Sequence, residues 1–155
     1  MTQPAGTMGG AAVGGGMQLA EPTERLIAAV IDWAILIGIN IVLGIVGGIL
    51  SKITGLLGVL VWLIQIIVPI CYFVYLWAMD NPITARGQSI GKKMRNIKIV
   101  KEDGSDITVG DAVLRVIGYY ISGIVILLGY VWILIDKEKH QGWHDKIAKT
   151  LVVKV

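Results

Sequence analysis

Residues Arg25 to Leu50 read RLIAAVIDWAILIGINIVLGIVGGIL, a nearly unbroken apolar run with an arginine at its mouth and Asp32 inside it. As a helix rising ~1.5 Å per residue, about 26 residues exceed the ~30 Å hydrocarbon thickness of a bilayer. The run therefore predicts a membrane-spanning helix. An aspartate two turns inside such a helix costs roughly 2.5 kcal/mol or more to insert, so it must face protein or water and find a partner there. Arg25 precedes Asp32 by seven positions, which at ~100° per residue places both within about 20° of one helix face.

Composition agrees with a membrane chain. Of 155 residues, 55% are hydrophobic and only 16% charged, and the mean hydropathy is +0.72. These values leave room for two or three spans with short connections and too little polar sequence for a separate soluble domain. The net charge of +3 gathers in Arg86 to Lys101 and in the tail after Asp136. Basic segments beside spans report topology and contact with anionic headgroups. A nucleic-acid partner would call for a basic face interleaved with aromatics on a soluble module, which the sequence lacks. Cys71 is the single cysteine and lies in an apolar run, so a packing role is expected.

Residues 1–20 are rich in Gly and Ala, without the charged start and apolar core of a secretory signal, and read as a flexible tail ahead of a membrane domain over 21–155. Glu21-Pro22-Thr23-Glu24 supplies a helix start. Spans are expected over about 24–50 and 56–79, joined by a turn at Ser51 to Gly55 that makes them antiparallel. Gly44 and Gly48 form a small-xxx-small pair suited to close packing on the second span. Pro69 cannot bond the Gln65 carbonyl, so a freed carbonyl and a polar amide share one mid-membrane level. Asn40, Gln65 and Ser122 are the candidates to line a small polar cavity.

The segment 80–111 is the one substantial extramembrane loop. Within it Asn96 to Lys101 alternates like a strand, as does Thr150 to Val155 in the tail 137–155, and the two are expected to pair as a surface β-ribbon. Thr108 and Asp111 match a capping box that opens a third membrane element over about 109–136. A plain third span would put the basic loop and the lysine-rich tail on opposite sides. A re-entrant hairpin broken near Ser122-Gly123 returns both to the cytoplasmic face, together with the N-terminus, and is the favoured reading. The fold class is thus an all-α integral membrane protein of two spans plus an embedded hairpin, with a small β-ribbon.

Arg115 opens the third element and is the expected partner of Asp32. A buried carboxylate there could bind a proton or small cation in turn, or serve as a structural ion pair. His140 and His144 have i, i+4 spacing, yet no third ligand is evident and no metal site is expected. Gly87-Gln88-Ser89-Ile90-Gly91-Lys92-Lys93 is a poor phosphate loop, with its glycines one residue too close. No nucleophile has an adjacent base, so no enzyme activity and no cofactor are expected.

Together, Arg25, Asp32, the loop with Gly87, Gln88, Gly91 and Lys92, Arg115, and the tail Gln141-Gly142-Trp143-His144-Asp145-Lys146-Ile147-Ala148-Lys149-Thr150 resemble the RDD family of bacterial and archaeal membrane proteins. The resemblance makes Arg25 and Asp32 the first two letters and Asp145 the third, with Asp136 as alternative. It also marks His144 and Thr150 as tail-motif residues. Lys149 departs from the family's usual Gly before Thr150. The resemblance implies a multi-pass protein of a prokaryotic cell membrane, for which cation/proton exchange as an oligomer is one expectation and an accessory or structural subunit of a larger complex the other. The charge network would be Arg25, Asp32, Arg115 and Asp145. The partners implied are the bilayer and either further copies or another membrane subunit.

Overall fold

A computed structural model describes residues 12, 13, 16–124, 132, 133, 135, 136 and 139–155, with the side chains of 12, 13 and 122–124 outside the description. Helix α1 runs over Pro22–Ser51, with Pro22 in its first turn and Glu24 at its positive dipole end. Helix α2 covers Gly55–Ala78, capped by Thr54, whose hydroxyl accepts the Leu56 N–H at 3.1 Å. Both are long and apolar enough to cross a membrane. Their side chains stay outward in the isolated chain: Ile45 is 61% and Leu56 68% exposed. A soluble core helix would bury such residues; these faces suit lipid.

The two helices form an antiparallel hairpin. Its tightest contact is at Gly47, where an added Cβ would lie 2.9 Å from Val61, and at Gly58, where one would lie 2.8 Å from Ser51. Gly48 faces open space, so of the expected pair only Gly44 meets α2, at the Gln65 side chain. Helix α2 continues through Pro69.

At the other end of the hairpin sits a cap. It comprises α3 (Ile90–Met94), β3 (Ile97–Lys101), α5 (Trp143–Ala148) and β4 (Thr150–Lys154). Strands β3 and β4 pair antiparallel, Ile97 opposite Lys154 and Lys101 opposite Thr150, which is the expected ribbon. The N-terminal approach widens it: Leu19 bridges Val153, and the Ala20 N–H donates to the Val152 carbonyl at 2.8 Å. Ahead of this, β1 (Ala12–Val13) and β2 (Met17–Gln18) form a short hairpin, so strand structure begins inside the stretch read as a flexible tail.

Helix α4 (Val109–Ile124) starts at the capping box, with the Thr108 N–H donating to Asp111 at 2.8 Å. Its Arg115 lies over Trp77, and Tyr119 lies 5.8 Å from Trp77 and 6.0 Å from Phe73, so α4 runs back along α2 from the cap. The helix continues through Ser122 and Gly123 and ends at Ile124, one residue beyond the expected break near Ser122-Gly123. Residues 125–131, where the connection to the tail begins, lie outside the described residues.

The core joins hairpin to cap: Ala28 and Leu36 of α1, Phe73 and Trp77 of α2, Ile97 and Ile99 of β3, Ala112 and Val116 of α4, and Val152 of β4.

Candidate buried charge network

Helix α1 buries Arg25, Ala28, Asp32 and Leu36, a stripe at spacings of three and four that marks one face. Onto this face docks the loop that leads into α3. Gly91 makes the docking feasible, since any Cβ there would come within 2.0 Å of the Ala28 carbonyl oxygen. Only a residue without a side chain lets α3 lie this close.

That approach decides what surrounds Asp32, which is 1% exposed. Its carboxylate accepts the Gly91 N–H at 2.8 Å, the Ser89 hydroxyl at 2.5 Å and the Tyr72 hydroxyl at 2.8 Å. Ser89 is the N-cap residue of α3 but its hydroxyl turns to Asp32, and the carboxylate of α1 caps α3 in its place. Arg115, the expected partner, is elsewhere. Three neutral donors satisfy the buried anion without a second charge, which is the correction.

The arginines converge instead on Asp145. Arg25 pairs with Oδ2 and Arg115 with Oδ1, and both side chains are buried with the carboxylate. The Gly142 N–H donates to Oδ2 at 3.0 Å, so Asp145 also caps its own helix α5. Arg25 further donates to the His140 carbonyl, and Arg115 to the Thr150 hydroxyl. Burial alone would raise the Asp145 carboxyl, but the Arg115 and Arg25 charges outweigh it and hold the group well below the usual carboxylate range. Asp136, the alternative second aspartate, pairs with Lys146 at 3.0 Å.

His144 stacks on Tyr119, ring centroids 4.2 Å apart. Gly118 admits the tail backbone, for a Cβ there would lie 2.7 Å from the His144 Cα. Burial pushes the imidazole down to about 3; Asp145 opposes this and the Arg115, Arg25 and Lys92 charges add to it, so the ring is neutral at physiological pH. His140 lies before α5 with φ +48°, so the two histidines share no helical face. Among the described residues no three His, Cys, Asp or Glu side chains gather as metal ligands.

The loop motif is a set of joints. The Gly87 N–H, at φ +83°, donates to the Trp77 carbonyl and its carbonyl accepts from Ile99, both at 2.8 Å. Gln88 donates to the Ile97 carbonyl at 3.1 Å, and the buried Lys92 ammonium lies 5.1 Å from the Trp77 ring centroid. In the tail, Gln141 donates to the Thr150 carbonyl at 2.9 Å.

Asn40 and Gln65 do meet: the Gln65 amide donates to the Asn40 carbonyl at 3.0 Å, while Asn40 donates to the Leu36 carbonyl at 2.9 Å. Each amide is thus taken up by a backbone carbonyl of α1, and neither side chain bonds the other. The nearby groove, about 420 Å³, is apolar and glycine-rich, has Gln65 on its wall and opens at the end away from the cap. The Ser122 side chain lies outside the described residues.

The geometry is thus an arginine–aspartate knot plus a donor-capped aspartate, both beneath a cap. Residues 19–149 match the family model described as the RDD family. The chain belongs to the RDD family. Among relatives, the uncharacterized protein YxaI of Bacillus subtilis (strain 168) is 35% identical over 91 residues, 59% of this chain and 56% of that protein. The proline-rich antigen homolog of Mycobacterium tuberculosis (strain ATCC 25618 / H37Rv) is 31% identical over 151 residues, 84% of this chain and 61% of that protein. The uncharacterized protein YckC of B. subtilis is 34% identical over 86 residues, 51% of this chain and 55% of that protein. The chain therefore matches less than two thirds of the length of each of these relatives. No solved structure matches it.

Nothing in the sequence marks Tyr72, Trp77, Gly118 or Tyr119 as site residues, and Ser89 and Gln141 stand in it only as parts of the loop and tail motifs. A serine followed two residues later by a glycine and then by lysines is a legible short-helix start, and it was the available clue to Ser89 and Gly91. Aromatics near a span end carry no such mark, because interface belts look the same.

Proposed function

We propose that this RDD-family membrane protein works as a non-catalytic accessory or structural subunit, its buried charges locking an extramembrane cap onto a helical hairpin. The observation that carries this reading is the donor set around Asp32. A cation site needs converging acceptor oxygens, whereas Asp32 is met by a backbone N–H and two hydroxyls. Asp145 is likewise spent on two arginines. A lock of this kind fixes register and packing, a use to which buried ion pairs are well suited.

In this reading the cap, the N-terminus and the tail are cytoplasmic, as the basic residues of 86–101 and of the tail favour. The β3–β4 pairing supports the same end for both segments, and so a third membrane element that enters and returns as a hairpin. Partners are the bilayer and another membrane subunit.

A second reading has one observation behind it. Tyr72 and Ser89 place two hydroxyls on a buried carboxylate, a chain along which a proton could pass. An oligomer exchanging a cation for a proton would use Asp32 in this way.

Purification in mild detergent separates the two. A heterologous membrane protein at fixed stoichiometry is the expected result. A homo-oligomer that moves cations against a proton gradient in liposomes, and loses this in Asp32→Asn without losing its fold, would overturn the accessory reading.

A further inference from the structure

Helix α5 is held at the level where the hairpin ends. Its Asp145 pairs with Arg25 near the start of α1, and its His144 stacks on Tyr119, which lies against Phe73 and Trp77 in the last two turns of α2. The 24 residues of α2, at ~1.5 Å each, extend ~36 Å, more than the ~30 Å hydrocarbon core, so these end turns reach the headgroup layer. Helix α5 stands there beside them.

One side of α5 is used in that packing, with His144, Asp145 and Ala148 buried. Its other side carries Trp143 and Ile147, four residues apart on one helix face, with Lys146 beside them. A helical turn from the preceding segment lies against this side, closed by the Asp136 N–H donating to the Trp132 carbonyl at 2.9 Å. The Trp132 and Trp143 ring centroids are 6.2 Å apart. The Lys146 ammonium sits 5.5 Å from the Trp132 centroid and 3.0 Å from Asp136. Ile135, three residues after Trp132, is its neighbour on the turn. Trp132, Ile135 and Ile147 are 37%, 58% and 41% exposed, and Lys149 is exposed at the end of α5.

Single apolar residues on a surface need no explanation, whereas a cluster of them marks a contact. Indoles gather where a bilayer meets water, because the ring is apolar and its N–H polar; lysine stems lie along such a surface with the ammonium among the headgroups. Level and composition therefore agree on lipid as what covers this patch. Charge agrees as well: residues 136–154 hold five lysines against three acids, and one of the acids, Asp145, is taken by the buried arginines.

We propose that Trp132, Ile135, Trp143 and Ile147 form an interfacial anchor seated in the headgroup layer, with Lys146 and Lys149 meeting the phosphates of anionic phospholipid. The anchor ties the tail, and with it Asp145, to the bilayer surface. It rests on the membrane placement of α1 and α2 and holds whichever functional role the chain has.

The test uses the full chain with Cys71→Ala in nanodiscs of phosphatidylcholine, with or without phosphatidylglycerol. One spin label at a time is attached at Ile135→Cys, Ile147→Cys, Ile45→Cys or Asp103→Cys. Collisions with oxygen, which concentrates in lipid, are compared with collisions with a neutral, water-soluble nickel complex. Labels at Ile135 and Ile147 should favour oxygen, less than at Ile45 in the span and far more than at Asp103 in the turn after β3. Phosphatidylglycerol should raise the ratio of seated to unseated anchor by about fivefold for each lysine, and Lys149→Gln should remove its share. Nickel contact at Ile135 and Ile147 equal to that at Asp103, with Ile45 in lipid, would overturn the anchor alone. Nickel contact at Ile45 too would overturn the membrane placement and the anchor with it. Labels at Ile135 and Ile147 shielded from both reagents would assign the patch to a protein contact and overturn the anchor. A balance indifferent to phosphatidylglycerol would overturn the choice of anionic lipid.

Discussion

Gly91→Ala perturbs the joint on which the cap depends. The new methyl would lie 2.0 Å from the Ala28 carbonyl oxygen and 2.9 Å from its carbon, against an ordinary carbon–oxygen approach of ~3.3 Å. The partner is helix backbone, so α3 must retreat by roughly 1.3 Å to restore that approach. Retreat stretches the Gly91 N–H bond to Asp32, now 2.8 Å, and the Ser89 bond at 2.5 Å. Overpacking of this kind costs ~1–3 kcal/mol. Losing a hydrogen bond to a buried charge adds ~1.5–3 kcal/mol. Together about 4 kcal/mol is expected, or a fall of about 10 °C in the unfolding midpoint for a chain of this size. Thermal unfolding in detergent, followed by indole fluorescence, measures it. Gly48→Ala is the control, because its Cβ would meet nothing within 4 Å and alanine favours helix by ~1 kcal/mol. A Gly91→Ala midpoint within 2 °C of the parent, or a fall as large in Gly48→Ala, would refute the docking argument.

Other outcomes follow from the same structure. Asp145→Asn leaves Arg25 and Arg115 buried without their carboxylate and should cost ~3–5 kcal/mol in chemical or thermal denaturation. Stability should decline on acidification below pH ~6.5, because His144 is held near 3 when folded and titrates near 6.5 when unfolded. The unfolded chain then binds the extra proton, and His144→Gln should flatten this slope between pH 6 and 4. Asp145, also depressed on folding, keeps its contribution above pH ~4 and loses it only below. Lys149 holds φ +51° at the end of α5, a strain of ~1 kcal/mol for a side chain, so Lys149→Gly should raise the midpoint by about 2 °C.

Features of long period were legible in the sequence. Two apolar runs gave α1 and α2 within a residue or two, and alternation in two distant segments gave the β3–β4 ribbon. The seven-residue spacing of Arg25 and Asp32 does place both on one buried stripe. What the spacing could not tell is which charge each one meets. The charge pattern points Asp32 to Arg115 of the third element, whereas it is served by a backbone N–H, a serine and a tyrosine. Backbone donors are identical in every residue, so no pattern of side-chain charges announces them. The roles of Gly91 and Gly118 were hidden for a related reason. They are contacts between segments far apart in the chain, and a glycine in sequence shows freedom of approach without showing what approaches.

The central claim is that the two buried arginines and Asp145 hold the cap to the hairpin as a unit. A double-mutant cycle with Arg25→Met and Asp145→Asn, read by denaturant unfolding in detergent, tests it most directly. The lock predicts a coupling of about 1.5 kcal/mol or more, the two changes together costing far less than their separate costs combined. Costs that simply add, within ~0.5 kcal/mol, would contradict it.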